Sequence, residues 1–154
     1  MAKQMNRQDA VSGKEGSVFV VIDGESIEIA ELIKFNARID YTKAEIHSLG
    51  RRMKGSKVVG AEGTGSMELY YHVPVFRAMA RDYIDTGIAP VFDVQVTNAD
   101  LSSRAGTQTI LVRNIVPDGI NLAMLDAASD DVLRDEFDFD FDDAKFLEQF
   151  NTVD

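Results

Sequence analysis

The sequence contains no cysteine, no tryptophan, two histidines and three prolines. Without cysteine there is no disulfide, no thiolate nucleophile and no Cys-based zinc centre. His47 and His72 alone exclude a histidine-rich metal centre. Long apolar runs are missing too: the longest, residues 18–22, is far too short to span a bilayer. Residues 1–12 are polar and hold nothing like the apolar stretch of a signal peptide. Neither a leader nor a membrane anchor is expected, and this opening dozen reads as a mobile arm.

What is present is an ordinary globular composition, 45% hydrophobic and 27% charged over 154 residues. A chain of this length is expected to form one domain, residues 13–154 after the arm, and buries about 70% of its unfolded surface without a metal or a disulfide. The unusual quantity is the net charge of −10. Residues 1–117 hold 14 acids and 14 bases, whereas residues 118–154 hold 12 acids and two bases, Arg134 and Lys145. The whole excess therefore lies in the last quarter of the chain. Clustered negative charge disfavours tight binding to nucleic acid or to anionic membrane.

The acidic quarter does not read as a disordered tail. From Asp135 to Asp143 acids alternate with phenylalanines, so Phe137, Phe139 and Phe141 share one face of a strand and Asp138, Asp140 and Asp142 the other. Other strands follow from the same period of two. Residues 18–22 are β-branched and aromatic and end at an Asp23-Gly24 hairpin turn. In residues 33–41 the odd positions, Ile33, Phe35, Ala37, Ile39 and Tyr41, oppose Lys34, Asn36, Arg38 and Asp40. Beyond Thr42 the apolar parity flips to Ala44 and Ile46, which predicts a bulge or a change of sheet.

Residues 50–65 hold five of the 11 glycines and the cations Arg51, Arg52, Lys54 and Lys57, and read as a long basic loop feeding a strand near Met67 and Leu69. Pro74 and Gly87 bracket a helix over residues 74–87, with Phe76, Met79, Ala80 and Tyr83 as its apolar stripe. Further strands are expected at Phe92, Val94 and Val96, at residues 107–116, and at residues 120–126 after Pro117-Asp118-Gly119. The fold class is mainly β: about seven strands in a β-sandwich or partly closed barrel with one outer α-helix.

Catalytic readings fail on spacing. Gly50 to Lys57 resembles a phosphate-binding loop, but the order after the second glycine is Ser56-Lys57, and Val58-Val59 continue a strand rather than a helix. A calcium loop begun at Asp138 would need Gly and Glu where Asp143 and Gln149 stand. Carboxylates two apart on a strand lie about 7 Å from one another, but no neighbouring base or metal ligand set accompanies Asp138, Asp140 and Asp142. No catalytic residue, metal or cofactor is expected, and the protein reads as a non-enzyme. The basic loop and the acidic quarter suit instead a subunit that stacks on its own copies.

Several stretches, in this order and spacing, resemble the tail-tube proteins of contractile-tailed phages and phage-like particles of Gram-positive bacteria. They are Ser12-Gly13-Lys14-Glu15-Gly16, Arg51-Arg52-Met53 with Gly55 and Lys57, and residues 59–70 (Val-Gly-Ala-Glu-Gly-Thr-Gly-Ser-Met-Glu-Leu-Tyr). The helix, the Pro90-Val91-Phe92 strand start and the Phe-rich acidic end complete the set, over roughly residues 12–150.

The resemblance implies a hexameric ring with a continuous inner β-barrel, and rings that stack into a tube within a contractile sheath and pass DNA. It implies sheath protein, a baseplate tube initiator and a tape-measure protein as partners besides the chain itself. The place is a virion tail, assembled from protein made in the bacterial host cytoplasm. Lys14, Glu15, Arg51, Arg52, Lys54 and Lys57 are then candidates for contacts between subunits and rings. Lys34, Asn36, Arg38 and Asp40 are candidates for the lumen. Asp138, Asp140 and Asp142 form an acidic face open to the lumen, to the basic loop of the next ring or to the sheath, an intersubunit or outer role being preferred. Six copies carry about −60, which repels DNA phosphates as a conduit requires. The alternatives are the tube of a bacteriocin-like or secretion-type particle that passes no DNA, and a ligand-binding β-sandwich module.

Overall fold

The computed structural model describes residues 16–29, 32–71, 74–128 and 130–150. The expected N-terminal arm, Lys14, Glu15 and His72 lie outside them. In chain order the elements are β1 (Gly16–Ile22), β2 (Glu25–Glu28), β3 (Leu32–Ile46), β4 (Gly55–Tyr70), α1 (Val75–Thr86), β5 (Phe92–Ala99), β6 (Thr107–Pro117), β7 (Arg134–Phe141) and β8 (Asp143–Glu148). All strand pairs are antiparallel, in the order β2-β1-β5-β6-β7-β4-β3, with β8 added to β6. The path does not close.

The two halves of this path meet at β6. Its first part pairs with β5 on one side and β8 on the other, and its end pairs with β7. β7 and β8 are one bent chain: Val116↔Asp140 and Arg113↔Asp143 belong to the same register. The interruption falls at Asn114, which has φ 57°, and at Asp142; the Asn114 side-chain amide donates to Asp142 Oδ1 over 2.7 Å. An asparagine tolerates this left-handed backbone better than most residues. Through this corner the acidic strand leaves β4 and joins the β1-β5-β6 half.

The core lies between the halves, where Val18, Val20, Val94, Val112 and Ile115 face Met67, Leu69, Phe137 and Phe139. The helix closes one end. Its Phe76 is buried between Phe92 and Phe137, with ring centroids 5.3 and 5.2 Å away. The helix stops where Gly87, at φ 75°, donates its N–H to the Tyr83 carbonyl. A largely buried ion pair ties it to the sheet: Arg77 reaches Asp135 of β7 over 2.5 Å, donates to the Tyr71 carbonyl and lies over the Tyr71 ring.

Two expectations need correction. Residues 55–65 are not loop but the first eleven residues of β4, paired with β3 from Ile46↔Gly55 onward, so the connection is only residues 47–54. The glycines fit a strand because of what lies over them: a Cβ on Gly65 would stand 2.5 Å from the Phe139 ring, and one on Gly63 2.6 Å from Phe141. Cross-strand phenylalanines thus cover the bare backbone. Residues 120–126 are not a strand either; Met124 N–H donates to Tyr71 Oη rather than to a neighbouring strand.

The predicted change of parity after Thr42 is a bulge: Thr42 pairs with Gly60 but Lys43 with Val58, leaving Val59 as the extra residue. From Tyr41 to Glu62 every residue is exposed. The outer half of the β3–β4 hairpin therefore stands free of the body. Five residue steps from Tyr41 to Ile46 carry its tip roughly 17 Å outward.

Candidate functional site

Two surfaces carry the residues singled out by sequence. The first is the polar face of β3, β4 and β7. Because directly paired residues on antiparallel strands point the same way, the register aligns Lys34 with Glu68 and Glu136, Asn36 with Ser66 and Asp138, and Arg38 with Thr64 and Asp140. Asp40 pairs with Glu62 at the edge of the same face.

The residues expected to line a lumen and those expected to form a separate acidic face are therefore one continuous surface. It carries six carboxylates (Asp40, Glu62, Glu68, Glu136, Asp138 and Asp140) against the cations Lys34, Arg38 and Arg134, the last opposite Tyr70 in the same register. Arg38 pairs with Asp40 over 2.7 Å, and Asp40 also accepts from the Thr64 hydroxyl over 2.9 Å. Glu68 is met by Arg134 at 3.5 Å. Glu136, Asp138 and Asp140 are exposed without an ion pair among the described residues.

Asp142 does not join this row. It sits in the corner between β7 and β8, held by Asn114. Glu62, Glu68 and Glu136 were missed by the sequence reading, although the alternation of Glu62, Thr64, Ser66 and Glu68 with Gly63, Gly65 and Met67 carried the signal. Glycines in the apolar register masked it.

The second surface is the hairpin tip. Arg51, Arg52 and Lys54 lie in the 47–54 connection, and Lys57 lies in β4 opposite Ala44. Lys54 is tied to Glu45 over 2.5 Å, whereas Arg51 and Arg52 carry no ion pair among the described residues. On either side of Arg51 and Arg52, Leu49 is fully exposed and Met53 is 80% exposed. The sequence reading named Met53 only within the Arg51-Arg52-Met53 stretch of the resemblance and Leu49 not at all; two apolar residues in a polar turn are the signal. Gly55, Ser56 and Lys57 are extended strand, so the arrangement of a phosphate-binding loop at a helix N-terminus is absent there. No group of three or more metal-ligating side chains occurs among the described residues.

A polar face on a strand-rich body, a long β3 edge with no partner strand among the described residues and a projecting arm suit an assembling subunit. The family model for DUF2001, phage tail tube protein, matches residues 3–148. The chain belongs to the phage tail tube protein family. It is 36% identical over 139 residues to the phage-like element PBSX protein XkdM of Bacillus subtilis (strain 168), covering 90% of this chain and 91% of that one.

Solved structures share the tail tube fold at low identity. A chain of the anti-feeding prophage baseplate, 6-fold symmetrised, superposes with a TM-score of 0.65 at 14% identity, covering 96% and 97% of the two chains. A chain of the sheath–tube complex of the extracellular contractile injection system PVC, in its extended state, gives 0.63 at 15% identity over 91% and 93%. The alternative of a ligand-binding module gives way to the tail tube family. The family points to a structural, non-enzymatic role, to self-assembly with other tail components and to a place in a virion tail.

Proposed function

We propose that six copies of this chain close into a ring, that rings stack into a hollow tube inside a contractile sheath, and that the β3-β4-β7 polar face lines the bore through which DNA passes. The observation that carries this reading is the single acidic face produced by the strand register. Carboxylates outnumber cations six to three on this face, and Arg38 and Arg134 are already engaged by Asp40 and Glu68, so on balance it repels phosphates and lets DNA slide rather than bind.

The open edge of β3 supports ring closure. Fifteen residues of strand with no partner on one side among the described residues are a liability in a monomer, and pairing with the next copy removes it. The 6-fold symmetrised baseplate and the sheath–tube complex among the structural neighbours support the ring and its sheath. On this reading the sheath protein, a baseplate tube initiator and a tape-measure protein are partners, Lys57 and the tip cations contact neighbouring subunits, and the protein is made in the host cytoplasm. Lys14 and Glu15 are proposed as further contacts from their place before β1.

Negative-stain microscopy of the concentrated protein tests the assembly: hollow tubes with six-fold end views are expected, and no rings or tubes at any salt concentration would overturn it. Particles purified with nuclease-protected DNA extending into the tail would separate a DNA conduit from a tube of the bacteriocin or injection type.

A further inference from the structure

We infer that the tip of the β3–β4 hairpin of one copy docks, through Leu49 and Met53, into the apolar groove between α1 and residues 116–122 of another copy. Resting on the tail tube reading, this contact names the surface that the free arm meets.

The groove has a volume of about 440 Å³ and is lined chiefly by Phe76, Met79, Tyr83, Ile84, Ile120 and Leu122, with Asp118 also on its lining. Tyr83, Ile84 and Leu122 are 52%, 61% and 58% exposed, an unusual concentration of apolar surface beside a helix. The tip presents the complement. Among the described residues almost nothing covers Leu49 and Met53, and Arg51 and Arg52 lie between them in the turn.

Charge points the same way. Residues 47–54 hold Arg51, Arg52 and Lys54 and no acid, while residues 116–122, the groove's loop wall, hold Asp118 and no base. The polar sheet face is a poorer receptor, because its paired rows are Asn36, Ser66 and Asp138, or Arg38, Thr64 and Asp140, with no apolar group to receive Leu49 or Met53. Intramolecular docking is excluded by geometry: the arm is a two-stranded ladder in register out to Ile46↔Gly55, and none of its residues from Tyr41 to Glu62 is buried by the body. Tip and groove are different surfaces of one chain, so their contact is heterologous and propagates from copy to copy.

The absence of native cysteine makes this testable by position. A Met53→Cys, Leu122→Cys double variant, oxidised after assembly, is expected to run as a ladder of linked chains without reductant, while each single variant runs as a monomer. A disulfide needs Cα atoms within about 7 Å, so a ladder locates the contact. Tubes without a ladder, from this pair and from Met53→Cys with Ile84→Cys, would overturn the docking and leave the tail tube reading standing. No tubes from the unmodified protein would overturn both. Independently, Leu49→Asp with Met53→Asp, folded by circular dichroism, is expected to raise the concentration needed for tubes at least tenfold. Assembly of that variant at the unmodified concentration would also refute the contact.

Discussion

Replacing Arg77 with methionine is expected to expose how much the body depends on one buried charge pair. The Asp135 carboxylate is 6% exposed and Arg77 19% exposed at their side chains, and the second carboxylate oxygen, Oδ1, is buried without a hydrogen-bond partner among the described residues. Arg77→Met keeps the aliphatic stem and removes the guanidinium. Asp135 is then left charged in a site closed to water, and the Tyr71 carbonyl loses its donor. Breaking a buried pair from one side costs about 3 kcal/mol or somewhat more. For a chain of this length that corresponds to a fall in Tm of about 6–12 °C.

The companion variant Arg77→Met, Asp135→Leu removes the stranded charge as well, and is expected to return to within about 1 kcal/mol of the unmodified protein. Urea unfolding of dilute, unassembled protein, followed by far-ultraviolet circular dichroism, measures both; tyrosine fluorescence is the natural second probe, since the chain has no tryptophan. A loss below about 1 kcal/mol in the single variant, or a double variant no better than the single, would refute the account of a desolvated pair.

Other variants separate fold from assembly. Gly65→Val is expected to destabilise the body by about 1–3 kcal/mol, because its Cβ would stand 2.3 Å from the Asn36 carbonyl and 2.5 Å from the Phe139 ring. Gly60→Ala on the same strand, with nothing nearer than 3.8 Å, is expected within about 0.5 kcal/mol of the parent in the same urea titration. Arg51→Glu with Arg52→Glu is expected to leave the melting temperature unchanged while raising the concentration at which tubes pellet; unchanged pelleting would argue that the tip cations take no part. Asp138→Lys with Asp140→Lys is expected to make assembled tubes retain short duplex DNA at low salt and release it at high salt. Tubes of that variant that ignore DNA would place the face elsewhere than the bore.

Local patterns in the sequence carried much of the fold. The shift from Tyr41 to Ala44 and Ile46 announced a bulge that the pairing at Thr42 and Lys43 bears out, and Pro74 and Gly87 bracketed the helix. What stayed hidden was non-local. Gly60, Gly63 and Gly65 look like loop until Phe139 and Phe141, more than seventy residues away, are seen lying over Gly65 and Gly63. Period-two alternation identifies the polar side of a strand but not which strand lies beside it. Lys34 and Asp138 therefore read as parts of two surfaces, and only the adjacency of β3, β4 and β7 makes them one. Asp142 keeps the alternation of its strand in sequence and loses it in space, because the chain turns a corner at Asn114.

The free half of the hairpin has a consequence for how such a protein changes over time. No residue from Tyr41 to Glu62 helps to fill the core, so substitutions there escape the stability threshold that constrains Met67 or Phe139. If the arm docks as proposed, selection on it acts chiefly through its fit to a neighbouring copy. A lineage can therefore rewrite the arm and its receptor together, and become incompatible with its relatives, while the folded body stays as it was.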